Sequence, residues 1–152
     1  MLFRSYANIA LSNTSAAYIV PIGTSYDGFR GVSIDGNNSF IFSVAGKYQV
    51  NYSIQFSNPT PSNQDVYIWL RQNGSDIANS ASIFTVPNKT GSVSGKLIAI
   101  TPMFVSANTG DSVQIMMASP TGGSVNLSSF GATTNPNIPG VPAVITTITG
   151  IT

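Results

Sequence analysis

The chain has 152 residues, 42% of them hydrophobic and only 7% charged, with a formal net charge of +1. A typical domain carries about 25% charged residues, so this surface is largely uncharged and offers no electrostatic footprint for nucleic acid or an anionic membrane. His, Cys and Glu are all absent, which excludes Ser-His and Cys-His dyads and any disulfide framework.

The length fits one domain with a sizeable core. No run approaches the roughly 18 apolar residues of a membrane helix, and Met1-Leu2-Phe3-Arg4 opens without the long apolar core of a secretion signal. Solubility by charge is weak, which favours a chain that lives packed in an assembly. Residues 1–16 are polar and irregular and read as an N-terminal arm, followed by one domain over residues 17–152. Tyr18 to Pro21 predicts a short strand closed by Pro, and Asp27-Gly28 a turn. Gly31 to Ile34 predicts another strand and Asp35-Gly36-Asn37-Asn38 another turn.

The strongest signal is Ser39 to Ser57. Phe40 to Val44 reads as a short strand and Ala45-Gly46 as a turn, where Gly46 is expected to supply a backbone angle that other residues resist. Then Tyr48, Val50, Tyr52, Ile54 and Phe56 alternate with Lys47, Gln49, Asn51, Ser53 and Gln55, the period of a strand with one buried face. Two prolines make Asn58 to Asn63 a loop. Val66 to Arg71 predicts a strand running into Asn73-Gly74, the favoured two-residue hairpin turn. Ile77 to Val86 returns, broken by small residues.

Ser94 to Ser106 predicts a long strand, Asn108 to Asp111 a turn, and Ser112 to Ala118 the returning strand. Val125 to Phe130 is expected as a strand, Gly131 to Pro142 as a flexible loop, and Val144 to Ile151 as the last strand. No stretch holds a helical period with caps. The expectation is an all-β fold of about ten strands in a two-sheet jelly-roll sandwich.

Phe42-x-x-x-Gly46-x-Tyr48, followed by alternating apolar residues, resembles the tumour-necrosis-factor-like jelly-roll superfamily. That superfamily includes complement heads and many bacteriophage structural proteins. Three more segments are similar to it: Val66-x-Ile68-x-Leu70-x-x-Asn73-Gly74, Val105-x-Ala107-x-x-Gly110-Asp111-x-Val113, and the closing Pro142 to Thr149. The resemblance implies a homotrimer and a last strand buried near the middle of an inner sheet. The chain departs from the collagen-tailed members in having no Gly-x-y stalk.

The residues point away from catalysis and from a cofactor. The only acids are Asp27, Asp35, Asp65, Asp76 and Asp111, no two of them close in sequence. Asp27, Asp35 and Asp111 sit in turn dipeptides and read as turn chemistry. No Gly-rich phosphate loop followed by Lys is present. Some superfamily heads bind calcium through loop carboxylates, but five scattered Asp do not predict a metal site. The Asn-x-Ser/Thr triplets read as coincidence in a chain so rich in both types.

Two features point to partners. If Val66, Ile68 and Leu70 face inward, then Tyr67, Trp69 and Arg71 line the other face. There they could stack on a sugar or anchor a protein contact, unless a loop or the arm covers them. The strand from Leu97 to Val105 is apolar on both faces, which a sandwich with one wet side does not need. Ile98, Ile100 and Phe104 on its second face, Met116 on the next strand, and the polar stripe of Gln49, Asn51 and Ser53 are therefore expected at an interface. The resemblance makes that interface a trimer's.

Three classes of function remain. The leading expectation is a trimeric bacteriophage decoration or cement protein, located in the virion and bound to the major capsid protein or other virion proteins. It acts as a structural protein and is no enzyme. The alternative is a trimeric receptor- or glycan-binding head of a phage tail or head fibre. The third class, a secreted signalling ligand, fits poorly with the missing signal segment and Cys.

Overall fold

The computed structural model describes residues 1–25, 31–121 and 123–151; the turn expected at Asp27-Gly28 lies outside them. The described chain is all-β. Its first strands are β1 (Leu2–Ser5), β2 (Ile9–Ala10), β3 (Tyr18–Ile19), β4 (Thr24–Ser25), β5 (Val32–Ile34) and β6 (Phe40–Phe42). The long strands follow: β7 (Gly46–Asn58), β8 (Gln64–Gln72), the short β9 (Ser75–Asp76), β10 (Ser82–Val86), β11 (Gly95–Ala107) and β12 (Ser112–Ala118). The chain closes with β13 (Asn126–Leu127), β14 (Thr133–Thr134), β15 (Asn137–Ile138) and β16 (Val144–Gly150).

Two seven-stranded sheets form a jelly-roll-like sandwich. In the first, β11 pairs along the whole of β7, and β16 and β13 share the other side of β7. Beyond them lie β1, β4 and β2. The second runs β10-β8-β12-β6-β5, with β3 also on β12 and β9 on β8. The pairs are antiparallel throughout. β14 and β15 form a separate hairpin.

The core follows from the alternation. Tyr48, Val50, Tyr52, Ile54 and Phe56 of β7 are all buried, facing Val66, Ile68 and Leu70 of β8 and Val113, Ile115 and Met117 of β12. Burying each such side chain contributes about 1.5–3 kcal/mol. Across the expected turn the rings of Phe42 and Tyr48 meet at 4.5 Å, and the Tyr48 hydroxyl donates to the Val44 carbonyl at 2.6 Å. β16 lies between β7 and β1, in the middle of its sheet, as the resemblance implies.

Several expectations need correction. Gly46 does not adopt a positive φ; it is the first residue of β7, opposite Ala107. The lead-in is not simply irregular: β1 pairs with β16, and Phe3 is buried with its ring 5.0 Å from that of Phe40 on the opposite sheet. Four residues are too few to show a period, and the partner strand lies more than a hundred residues away. Of Val125 to Phe130 only Asn126–Leu127 is a strand, with Phe130 bridging to Val141. The expected flexible loop contains the β14–β15 hairpin. Pro102 sits within β11 because β11 is an edge strand, paired on one side only.

Candidate functional site

The site grows from a broken hairpin. Asn73 and Gly74 take φ of 49° and 81°, the left-handed pair that a two-residue turn requires. The turn sets Gln72 opposite Ser75 and Arg71 opposite Asp76. Pairing resumes only at Ile68 opposite Ser82, so Trp69 and Leu70 face five residues, 77–81, on the return. The excess is forced outward as a bulge. It is tied down at Leu70: the Ile77 N–H donates to the Leu70 carbonyl at 2.9 Å. The Ser80 hydroxyl accepts from the Leu70 N–H at 3.0 Å and donates to the Ile77 carbonyl at 2.8 Å.

Because Leu70 is buried in the core, period two sends Tyr67, Trp69 and Arg71 to the outer face of the second sheet, where all three are half-buried. Among the described residues, neither a loop nor the lead-in seals them. The bulge stands beside them as a wall and leaves an open cleft of about 400 Å³. Its base is Tyr67, Trp69 and Ala118; Ile77, Asn79 and Ala81 come from the bulge, and Pro120 and Asp76 complete the lining. The volume falls in the ordinary range of small-molecule sites, about 300–1,000 Å³.

A charged pair organises one end. The Trp69 indole Nε1 donates to Asp76 Oδ1 at 2.9 Å, and the Arg71 Nε donates to the same oxygen at 2.7 Å. The Arg71 guanidinium, and after it the Trp69 indole N–H, hold the Asp76 carboxyl below its ordinary range. Hydrogen bonding to the ionised form is the cause. The indole ring is thereby fixed in orientation while its face stays open.

Met116 belongs here and not with the residues it was expected to join. It lies on β12, in the second sheet, between Trp69 on one neighbouring strand and Ile19 on the other, and is 1% exposed. Strand parity places a side chain on a face but does not say of which sheet. Met116 thus stands beside Trp69 on the outer face of the second sheet, buried within the subunit.

Ile98, Ile100 and Phe104 lie on the outer face of β11, on the first sheet, and are 49%, 63% and 66% exposed. Opposite them on β7 stand Gln55, Ser53 and Gln49. The Gln49 Nε2 donates to Asn51 Oδ1 at 3.0 Å, so part of this polar stripe pairs along its own strand. The bulge at residues 77–81 separates the aromatic cleft from a second one, about 320 Å³, against Thr101 to Phe104.

Asp35 and Asp111 are occupied in turns. Asp35 Oδ1 accepts from the Asn37 and Ser39 backbone N–H groups. Asp111 takes the Gln72 and Asn73 side-chain amides and the Asn108 N–H, clamping the hairpin tip to the β11–β12 turn. Sequence reasoning missed Asp76 and Asn79 as cleft residues. Asp76 was within reach, because a two-residue turn at Asn73-Gly74 places it opposite Arg71.

No protein-family model and no curated protein matches the chain. Among solved structures it is similar to a family 35 carbohydrate-binding module from an environmental isolate, at 16% identity and a TM-score of 0.39, covering 99% of this chain and 96% of that one. It is similar also to CBM35 from Cellvibrio japonicus Abf62, at 12% identity and a TM-score of 0.38, over 99% and 96% of the two chains.

Proposed function

We propose that the protein is a carbohydrate-binding head without catalytic activity, working as a homotrimer. The observation that carries the reading is the open Trp69 cleft: an aromatic base with a buttressed indole, walled by a bulge and edged by the Asp76–Arg71 pair. A pyranose ring has apolar C–H faces that stack on such a ring and a rim of hydroxyls that seek donors and acceptors. The cleft supplies both in the ratio that ligand sites favour, mostly apolar with a few placed polar groups. The absence of His, Cys and Glu from the sequence supports a binding role over a catalytic one.

The assembly reading rests on Ile98, Ile100 and Phe104, with the trimer chosen over a dimer by the superfamily resemblance alone. The face lies on the first sheet and the cleft on the second, so packing through one leaves the other open to ligand. In a virion, the setting that resemblance suggests, this is the receptor- or glycan-binding head of a fibre. Capsid decoration would use the same trimer, but a concave aromatic cleft suits a small ligand better than a flat lattice.

Binding of the wild-type protein to a glycan array, with Trp69→Ala alongside, tests the reading. Retention of glycans by the wild type and their loss in a folded Trp69→Ala protein is the expected result. No glycan bound, together with shells that survive heat only when the protein is present, would replace it with the cement reading.

A further inference from the structure

We infer that the Trp69 cleft selects neutral pyranosides and rejects acidic ones, and that the Asp76–Arg71 pair makes the selection. The inference rests on the carbohydrate reading of the cleft and adds the ligand's charge class. An acidic sugar, a uronide or a sialoside, needs a cation with donors to spare for its carboxylate. Among the described residues none that lines the cleft is a cation, and Arg71, which pairs with the cleft residue Asp76, has its charge already matched there at 2.7 Å. The pair is neutral as a unit, and the Asp76 carboxylate is the member that lines the cleft. A ligand carboxylate entering there meets a like charge and finds no unmatched positive charge. No Lys lines the cleft, and the Lys96 ammonium is engaged 4.9 Å over the Phe130 ring.

Neutral hydroxyls find the opposite. Asp76 spends Oδ1 on Trp69 and Arg71 and leaves Oδ2 as an open acceptor. Arg71 uses Nε on Asp76, which leaves its Nη groups as donors. A charge-assisted bond from a hydroxyl to a carboxylate is about twice as strong as a neutral one. A ring hydroxyl can therefore donate to Oδ2 of the cleft-lining Asp76 while the C–H face of the same ring lies on Trp69. The geometry asks for a ring with a free hydroxyl beside its apolar face and no charge.

The test compares two probes that differ at one carbon: methyl galactopyranoside and methyl galacturonopyranoside. Binding is read from Trp69, the only tryptophan of the chain, by fluorescence and by saturation-transfer NMR at fixed ionic strength. The wild-type protein is expected to bind the neutral sugar at least about tenfold more tightly. Asp76→Asn releases the Arg71 charge, so the preference should reverse in that variant, with the uronide gaining and the neutral sugar losing about tenfold. A merely structural role for Asp76 would weaken both probes together. Arg71→Gln keeps the carboxylate, and should reject the uronide even more strongly.

Tighter binding of the uronide by the wild type, or an unchanged preference in Asp76→Asn, overturns the inference while the carbohydrate reading stands. If the array retains no glycan and neither probe binds, the carbohydrate reading falls, and this inference with it.

Discussion

Ile100→Asp is expected to split the assembly. Ile98, Ile100 and Phe104 leave half to two-thirds of their surface in water, at 49%, 63% and 66%. Fully burying an Ile or Phe is worth about 1.5–3 kcal/mol, so covering the exposed fraction of these three gives about 4 kcal/mol per subunit. That is a useful share of an interface, on a protein with only 7% charged residues. An Asp at position 100 forfeits the Ile share and places a carboxylate in the seam, and its ladder neighbour on the same chain, Ser53, brings no charge to compensate it. An uncompensated buried charge costs several kcal/mol, enough to cancel the gain. Light scattering is the assay. Wild type should run near three times the 15.9 kDa chain, Ile100→Asp near one. Because residue 100 faces outward, the variant should keep its fold, as circular dichroism would show. A wild-type mass of one chain at micromolar concentration refutes the reasoning.

Three further outcomes are expected. Trp69→Ala should cost about 1–2 kcal/mol in denaturant melts, below the roughly 3–5 kcal/mol of emptying a sealed aromatic site, because the residue is half-buried beside Met116; a loss of about 4 kcal/mol would place Trp69 in the core. Asp76 has its carboxyl held below the ordinary 3.8, chiefly by Arg71, so its contribution is present above that value and is lost as pH falls through the folded-state value. Trp69 fluorescence should then shift only below pH 3.8, and Asp76→Asn should abolish the step; a step at pH 5 or above contradicts the pairing. Burial pushes the Tyr52 hydroxyl up to about 12, opposed by Thr101, yet it makes no hydrogen bond of ordinary geometry. Burial penalises the phenolate, so the Tyr52 contribution to stability is constant below pH 10 and falls by about 2–3 kcal/mol between pH 10 and 12; Tyr52→Phe should remove that slope and be neutral or stabilising at pH 7, and an unchanged alkaline slope would disprove it.

The sequence by itself determined the strands that have a long period. β7, β8, β11 and β12 are legible within a residue or two, because alternating burial over seven or more residues imprints period two on the chain. The same parity put Tyr67, Trp69 and Arg71 on one outer face and Ile98, Ile100 and Phe104 on another. Asn73-Gly74 announced its turn, since only residues tolerant of positive φ can make it. Tertiary structure decided what parity leaves open. It placed β12 in the sheet opposite β11, which moved Met116 from an expected interface to a seat beside Trp69. It drew residues 2–5 into a sheet through a partner at the far end of the chain. It also turned a stretch of small residues, Ala78, Asn79, Ser80 and Ala81, into the wall of a cleft. A bulge is a mismatch between two strands, and neither strand's sequence records it alone. Pairing at Arg71–Asp76 and again at Ile68–Ser82 is what forces the surplus outward beside the indole.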